Sequence, residues 1–175
     1  MDTPNIRRAT TDDQEALVAL WTAFMDEQAD LESRLTVAED AEERWRNDVP
    51  VWLEDETCRL FVAEADETVV GFATARRWGP PPVYAESEEV YLDEIFVHPD
   101  HRRAGIGSQL VAAARSWAEE LGAERLRLRV LEANDASRAF WEAQAARPLS
   151  VSYTMELEGS RAEDKADEGS KKIGF

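Results

Sequence analysis

The chain has 175 residues, enough for one domain with a real core, and its 43% hydrophobic and 33% charged residues read as soluble and globular. No apolar run approaches the ~18–20 residues that cross a bilayer, and the start MDTPNIRRAT lacks a signal peptide's apolar stretch. A net charge of −17 repels phosphate and excludes a general nucleic-acid or anionic-membrane binder, and the single cysteine, Cys58, excludes an intrachain disulfide and a thiolate metal cluster. A cytoplasmic protein is expected. The lysines, Lys165, Lys171 and Lys172, all lie after residue 158, so the rest combines arginine with surplus acid, a halophile-like surface. Solubility explains that surplus more simply than attraction of a cationic substrate does.

In chain order, IRRAT reads as a short strand, and Thr10 or Thr11 can cap the helix TDDQEALVALWTAFMDEQ, whose Leu17, Leu20, Trp21, Phe24 and Met25 recur at helical spacing. Residues 26–36 read as a mobile connection to a second helical region, 37–56, interrupted by Pro50. CRLFVAEADETVVGFATARRW predicts two strands joined by a tight ADE turn, with Cys58 in the core, and GPPPVYAESEE predicts a loop. VYLDEIFV predicts a strand. The helix after it, GIGSQLVAAARSWAEELG, places Ile106, Leu110, Val111, Ala114, Trp117, Ala118 and Leu121 on one face and stops at Gly122.

ERLRLRV alternates strictly, with Leu126, Leu128 and Val130 facing in. Asn134 caps the helix DASRAFWEAQAA, which Pro148 ends, and LSVSYTMEL alternates again as a last strand. Residues 1–158 form one domain on this reading, and 159–175 a disordered polar tail. Mixed strands and helices predict an α/β or α+β layered domain.

The stretch HRRAGIGSQL carries chemistry. Gly105 and Gly107 fall where a loop enters a helix, so the backbone can turn tightly and approach a ligand. The first N–H groups of a helix lack intrahelical acceptors and gather the positive dipole end, which suits phosphate. Arg102 and Arg103 add charge beside it. No lysine follows, as a nucleotide-hydrolase loop requires, and the three-glycine dinucleotide fingerprint is absent. Coenzyme A is the remaining common pyrophosphate.

LDEIFVHPDHRRAGIGSQLV closely resembles the central motif of the GCN5-related N-acetyltransferases (GNAT), Arg/Gln-x-x-Gly-x-Gly/Ala, here Arg102 to Gly107. NDASRAFWEAQ resembles that family's second cofactor helix, and LDEIFV its diamine and spermidine/spermine branch. The resemblance implies a mixed, mostly antiparallel sheet splayed between strands four and five, with helices on both faces. It further implies that acetyl-CoA is the co-substrate: Ile95, Phe96 and Val97 pair with the pantetheine by backbone, and amides of Arg103, Ala104, Gly105, Ile106, Gly107 and Ser108 hold the pyrophosphate. Asn134 and Ser137 flank it, though either is equally explained as a helix cap or a small surface residue.

Direct transfer to an amine needs a base, and the first acid of that strand, Asp93, is the first choice, with Glu94 second. Strict alternation puts Asp93 on one face with Tyr91, Ile95 and Val97, and Glu94 on the other. The family's usual acid, a tyrosine, falls at Trp141, which cannot donate such a proton but can pack on the pantetheine. Tyr153, Tyr91 or water could replace it. His98 and His101 lack a third ligand, so no metal is expected. The function expected is acetyl transfer from acetyl-CoA to a primary amine, first a small cationic one. A protein or peptide amine, or a non-catalytic acyl-CoA-sensing module, are the alternatives, and a homodimer is compatible with the sequence.

Overall fold

The computed structural model describes residues 4–81, 83–85 and 87–157. The expected disordered tail lies outside the described residues. Among the described residues, no helix is long and apolar enough to cross a membrane.

The elements follow in the order β1 (Asn5–Arg8), α1 (Gln14–Leu31), α2 (Ala41–Glu54), β2 (Cys58–Ala65), β3 (Thr68–Trp78), β4 (Glu89–Val97), α3 (Ile106–Glu120), β5 (Arg125–Arg127) and α4 (Asp135–Ala143). The sheet order is β1-β2-β3-β4-β5. The first four strands pair antiparallel, and β5 joins β4 in parallel. The β2–β3 hairpin turns through Asp66 and Glu67, both at positive φ (49° and 62°), the twist that suits a two-residue connection.

Two apolar clusters cover the two faces of the sheet. On one side α1 and α2 bring Leu17, Val18, Trp21, Trp45 and Val49 onto Leu60, Val62, Phe72 and Phe96. On the other, Ile106, Leu110, Ala114 and Trp117 of α3 pack on Ala63, Ala73, Val90 and Leu92. Near the N-terminus Asp13 is 5% exposed, receives both Nη atoms of Arg7 at 2.7 Å and accepts the Thr10 N–H at 2.8 Å.

Four expectations need correction. Pro50 does not interrupt α2: it removes the N–H that would reach the Arg46 carbonyl, and Gln14 Nε2 donates there instead at 2.7 Å. Helix α1 runs on to Leu31, three residues past the expected end at 28. Ladder pairing of β5 stops at Arg127 rather than running to 131. Residues 149–157 form no strand; Leu149, Val151, Tyr153, Met155 and Leu157 are all exposed, so alternation here has no sheet edge beneath it.

Candidate active site

Strand β4 holds β5 only through Glu89↔Arg125, Val90↔Leu126 and Tyr91↔Arg127. Buried Glu89, 2% exposed, pins that end by ion pairs to Arg125 and Arg127 at 3.5 and 3.2 Å. Beyond it the strands part around a cavity of about 50 Å³. Ile95 stands on one wall, Leu128 and Val130 on the other, and Asn134, Ser137 and Trp141 close it from α4. The splay expected between strands four and five is therefore present. The Asn134 carboxamide caps α4 as expected, accepting the Ser137 N–H at 2.9 Å, while the residue also lines this cavity.

At the far end of β4 the chain turns into α3. Arg103 and Gly105 both adopt positive φ, 62° and 79°. A Cβ at Gly105 would meet nothing within 4 Å, so glycine is needed for conformation, whereas one at Gly107 would sit 3.3 Å from the Phe140 ring, so glycine there lets α4 approach. The Gln109 N–H is the first to find a helical carbonyl, Gly105 O at 3.1 Å. Ahead of it the amides from Arg103 to Ser108 take no backbone acceptor among the described residues, leaving a ring of donors at a helix N-terminus. Arg103 has no ion-pair partner among them either. Ser108 Oγ accepts Gln144 Nε2 at 2.8 Å.

Between these ends lie the two acids, and here alternation fails. Thr74 pairs with Glu94 but Ala75 pairs with Leu92, which leaves Asp93 as the extra residue of a β-bulge. The bulge resets the phase of the strand. Ile95 and Val97 join Leu92 on the α3 side, and Glu94 and Phe96 turn to the α1–α2 side. Asp93 does not share the face of Ile95 and Val97, contrary to the expectation from strict alternation.

The two carboxylates have different surroundings. Asp93, a third exposed, receives Arg76 Nε on both oxygens at 2.9 and 3.1 Å. Burial raises its pKa, and Arg76 with the more distant Arg129 opposes the rise. Glu94 accepts Trp21 Nε1–H at 2.9 Å and the Thr74 hydroxyl at 2.8 Å. A third donor, the Trp45 indole Nε1, is buried without a hydrogen bond of its own and favours the charged form from farther off. Among the described residues no cation bonds to Glu94, and burial carries its pKa upward against these neutral donors. Both acids also line a cleft of roughly 330 Å³ that runs from the bulge to Trp52 and Cys58.

A model of the acetyltransferase (GNAT) family matches residues 17–145. The chain belongs to that family. Among curated relatives it is similar to thialysine N-epsilon-acetyltransferase of Bos taurus, 33% identical over 64 residues, which is 37% of this chain and 38% of that one. It is also similar to aminoglycoside N(6')-acetyltransferase type 1 of Salmonella typhimurium, 36% identical over 67 residues, 38% of this chain and 46% of that one. The match spans less than half the length of either. Among solved structures, a variant of the BH1408 protein from Bacillus halodurans superposes with a TM-score of 0.78 at 19% identity, covering 87% of this chain and 99% of that one. Aminoglycoside N-acetyltransferase AAC(6')-Iy, solved with CoA, gives 0.69 at 22%, covering 89% and 95%. These share the fold.

Within this GNAT chain the expected site residues divide. Asp93, Glu94, Ile95, Asn134, Ser137 and Trp141 come together around the split. Arg102 departs from its expected role: its guanidinium is bound to Glu27 at 2.7 and 2.9 Å, to Val97 O at 2.8 Å, and stacks on Phe96. It ties the turn to α1 and occupies one lone pair of the Val97 carbonyl. Phe96 and Trp141 are buried, 4% and 6% exposed. Tyr153 is 90% exposed, and Thr154 beside it accepts a hydrogen bond from Arg34 in the connection after α1. Tyr91 lies beside Arg76 and Trp78. Cys58, expected in the core, lines the cleft with burial raising its pKa.

Sequence reasoning missed Trp21, Thr74 and Arg76. Trp21 was legible only as a core position at helical spacing. Thr74 and Arg76 follow from the β3–β4 register, which a single strand's pattern does not carry.

Proposed function

We propose that this protein transfers the acetyl group of acetyl-CoA directly to a primary amine on a small, cationic substrate. The observation that carries this reading is the split: it joins a ring of free amides at 103–108 to a half-buried, uncompensated carboxylate at 94, with an acceptor cleft on the far side. Amides from Arg103 to Ser108, with the Arg103 side chain, would hold the pyrophosphate, and the β4 edge from Ile95 to Val97 the pantetheine. Asn134, Ser137 and Trp141 would flank that arm. The cofactor supplies a thioester activated for attack by nitrogen.

Glu94, rather than Asp93, is the base in this reading. An ammonium with a pKa near ~10 must lose a proton before it attacks, and an acceptor of raised pKa with no cation beside it does this best near neutrality. Asp93 is held by Arg76 and positions the bulge. An extra residue in a bulge leaves an N–H unpaired, so the backbone here can donate to the thioester oxygen as charge develops. The leaving thiolate, cysteine-like at ~8.5, takes its proton from water, since Trp141 has no hydroxyl and Tyr153 stands in solvent.

Calorimetric titration with coenzyme A and thiol release with a panel of amines test the reading together. Binding with turnover is expected. Well-folded protein that takes up no coenzyme A would overturn it, and binding without turnover on any amine would leave an acyl-CoA sensor.

A further inference from the structure

The cleft beyond the bulge has a charge inventory that narrows the acceptor. Its walls are the indole of Trp52, the side chain of Leu60 and the thiol of Cys58, with Thr74, Arg76, Asp93 and Glu94 at the floor. Arg76 neutralises Asp93 through its Nε at 2.9 Å. That guanidinium is also held against two rings, 5.3 Å from the Trp78 centroid and 5.4 Å from Tyr91. It cannot swing away without losing both contacts. Glu94 accepts only uncharged donors. The floor therefore carries one carboxylate without a counter-ion, and the walls are apolar. Asp55 is not among the residues that line the cleft, and its carboxylate accepts from Thr57 N and Oγ1 at 2.8 and 2.7 Å.

We infer that the acceptor is a monoamine: one ammonium seated on Glu94 and an uncharged, largely apolar body packed on Trp52 and Leu60. This rests on the acetyltransferase reading and deepens it. A second ammonium in the cleft would lose its hydration among apolar groups and meet the fixed positive charge of Arg76. The acidic surface of the chain, at −17 overall, draws polycations to the protein in general. The cleft itself selects against them. Arg76 is then the specificity-determining residue, because it cancels the acid that would receive a second cation.

The test compares phenylethylamine and hexylamine with putrescine, spermidine and kanamycin as acceptors, at saturating acetyl-CoA. The monoamines should exceed the polyamines and kanamycin in kcat/KM by at least about tenfold, a contrast the differential burial of one charge readily supports. Arg76→Met frees Asp93 while keeping the apolar stem, and should move the spermidine-to-phenylethylamine ratio toward spermidine by about tenfold. Trp52→Ala should raise KM for phenylethylamine more than for putrescine, with a thermal melt confirming that each variant folds. If the wild type prefers spermidine or kanamycin, the inference is wrong and the acetyltransferase stands. If coenzyme A binds and no amine is acetylated, the acetyltransferase reading falls and takes this inference with it.

Discussion

Replacing Glu94 by Gln separates catalysis from stability. Glutamine keeps the shape of the side chain: its oxygen can accept the Trp21 Nε1–H, and its amide can donate to Thr74, whose hydroxyl then turns its proton away. Packing survives and proton acceptance is lost. Removal of a general base costs about 10²–10⁴ in kcat/KM. At ~1.36 kcal/mol per decade this is roughly 3–5 kcal/mol of barrier. Coenzyme A affinity should not change. Stability should move the other way. Burial raises the Glu94 pKa, so the folded chain binds that proton more tightly than the unfolded chain. The residue therefore favours the fold most below its unfolded value, and this advantage is lost as pH rises through the raised folded value. Where the carboxylate is ionised the wild type carries a desolvated charge that Gln removes. Each ~1 kcal/mol relieved lifts Tm by about 2–4 °C in a chain of this size. Thiol release across pH, paired with calorimetric melts, reads both effects: wild-type kcat/KM should fall on the acid side with an apparent pKa above the ordinary glutamate range. Retained turnover in Glu94→Gln with loss in Asp93→Asn would refute the choice of base, and a Tm several degrees lower at neutral pH would refute the electrostatic account.

Asp13 carries the opposite linkage. Arg7 holds its pKa below the usual carboxylate value, so its contribution is whole at neutral pH and lost as pH falls through that lowered folded value. Because Arg7 is a third exposed, Asp13→Asn should cost on the order of 1–3 kcal/mol rather than the full penalty of a deeply buried pair, read as a lower Tm at pH 7 that converges with wild type in acid. Gly105→Ala puts a Cβ at φ +79°, a strain of roughly 1–2 kcal/mol that the loop escapes by relaxing when empty. Coenzyme A binding must then restore the turn, and titration should show about tenfold weaker affinity with little change in Tm. Tyr153→Phe should leave kcat within about twofold at every pH, since a side chain 90% exposed outside the split has no part in proton transfer, and a changed basic limb would contradict this.

The order of elements and the glycine turn into α3 were legible because both are local. Helical spacing in Leu17, Leu20 and Trp21 and the two glycines before Ser108 speak through neighbours a few residues away. What was not legible depends on partners distant in sequence. The carbonyl that Pro50 leaves free is met by Gln14, thirty-two positions upstream of Arg46. The alternation of 149–157 matches a strand perfectly, yet no described edge receives it, since alternation states which face is apolar and not what covers it. Arg102 looked like a phosphate ligand because it stands beside the glycines, and its partner Glu27 lies seventy-five positions away.

The bulge at Asp93 shows why the site was harder to read than the fold. A strand's period of two is so regular that one extra residue exchanges the faces of everything after it. Were the bulge absent and Asp93 paired in regular alternation, Glu94 would point at α3 among the apolar side chains of Leu110 and Ala114, and Ile95 would point toward the indoles of Trp21 and Trp45. With it, the charge reaches Trp21 and Thr74, and the apolar side chains of Ile95 and Val97 stay on the α3 face beside Leu92. The same residue interrupts the β3–β4 ladder where the β4–β5 ladder has just ended, at Tyr91. Asp93 has a ladder partner on neither side, which leaves its backbone for a ligand, and Arg76 compensates the exposed acid that the bulge presents. The placement of Glu94 beside Trp21 and Thr74, and of Asp93 beside Arg76, thus has a common origin in one bulged residue.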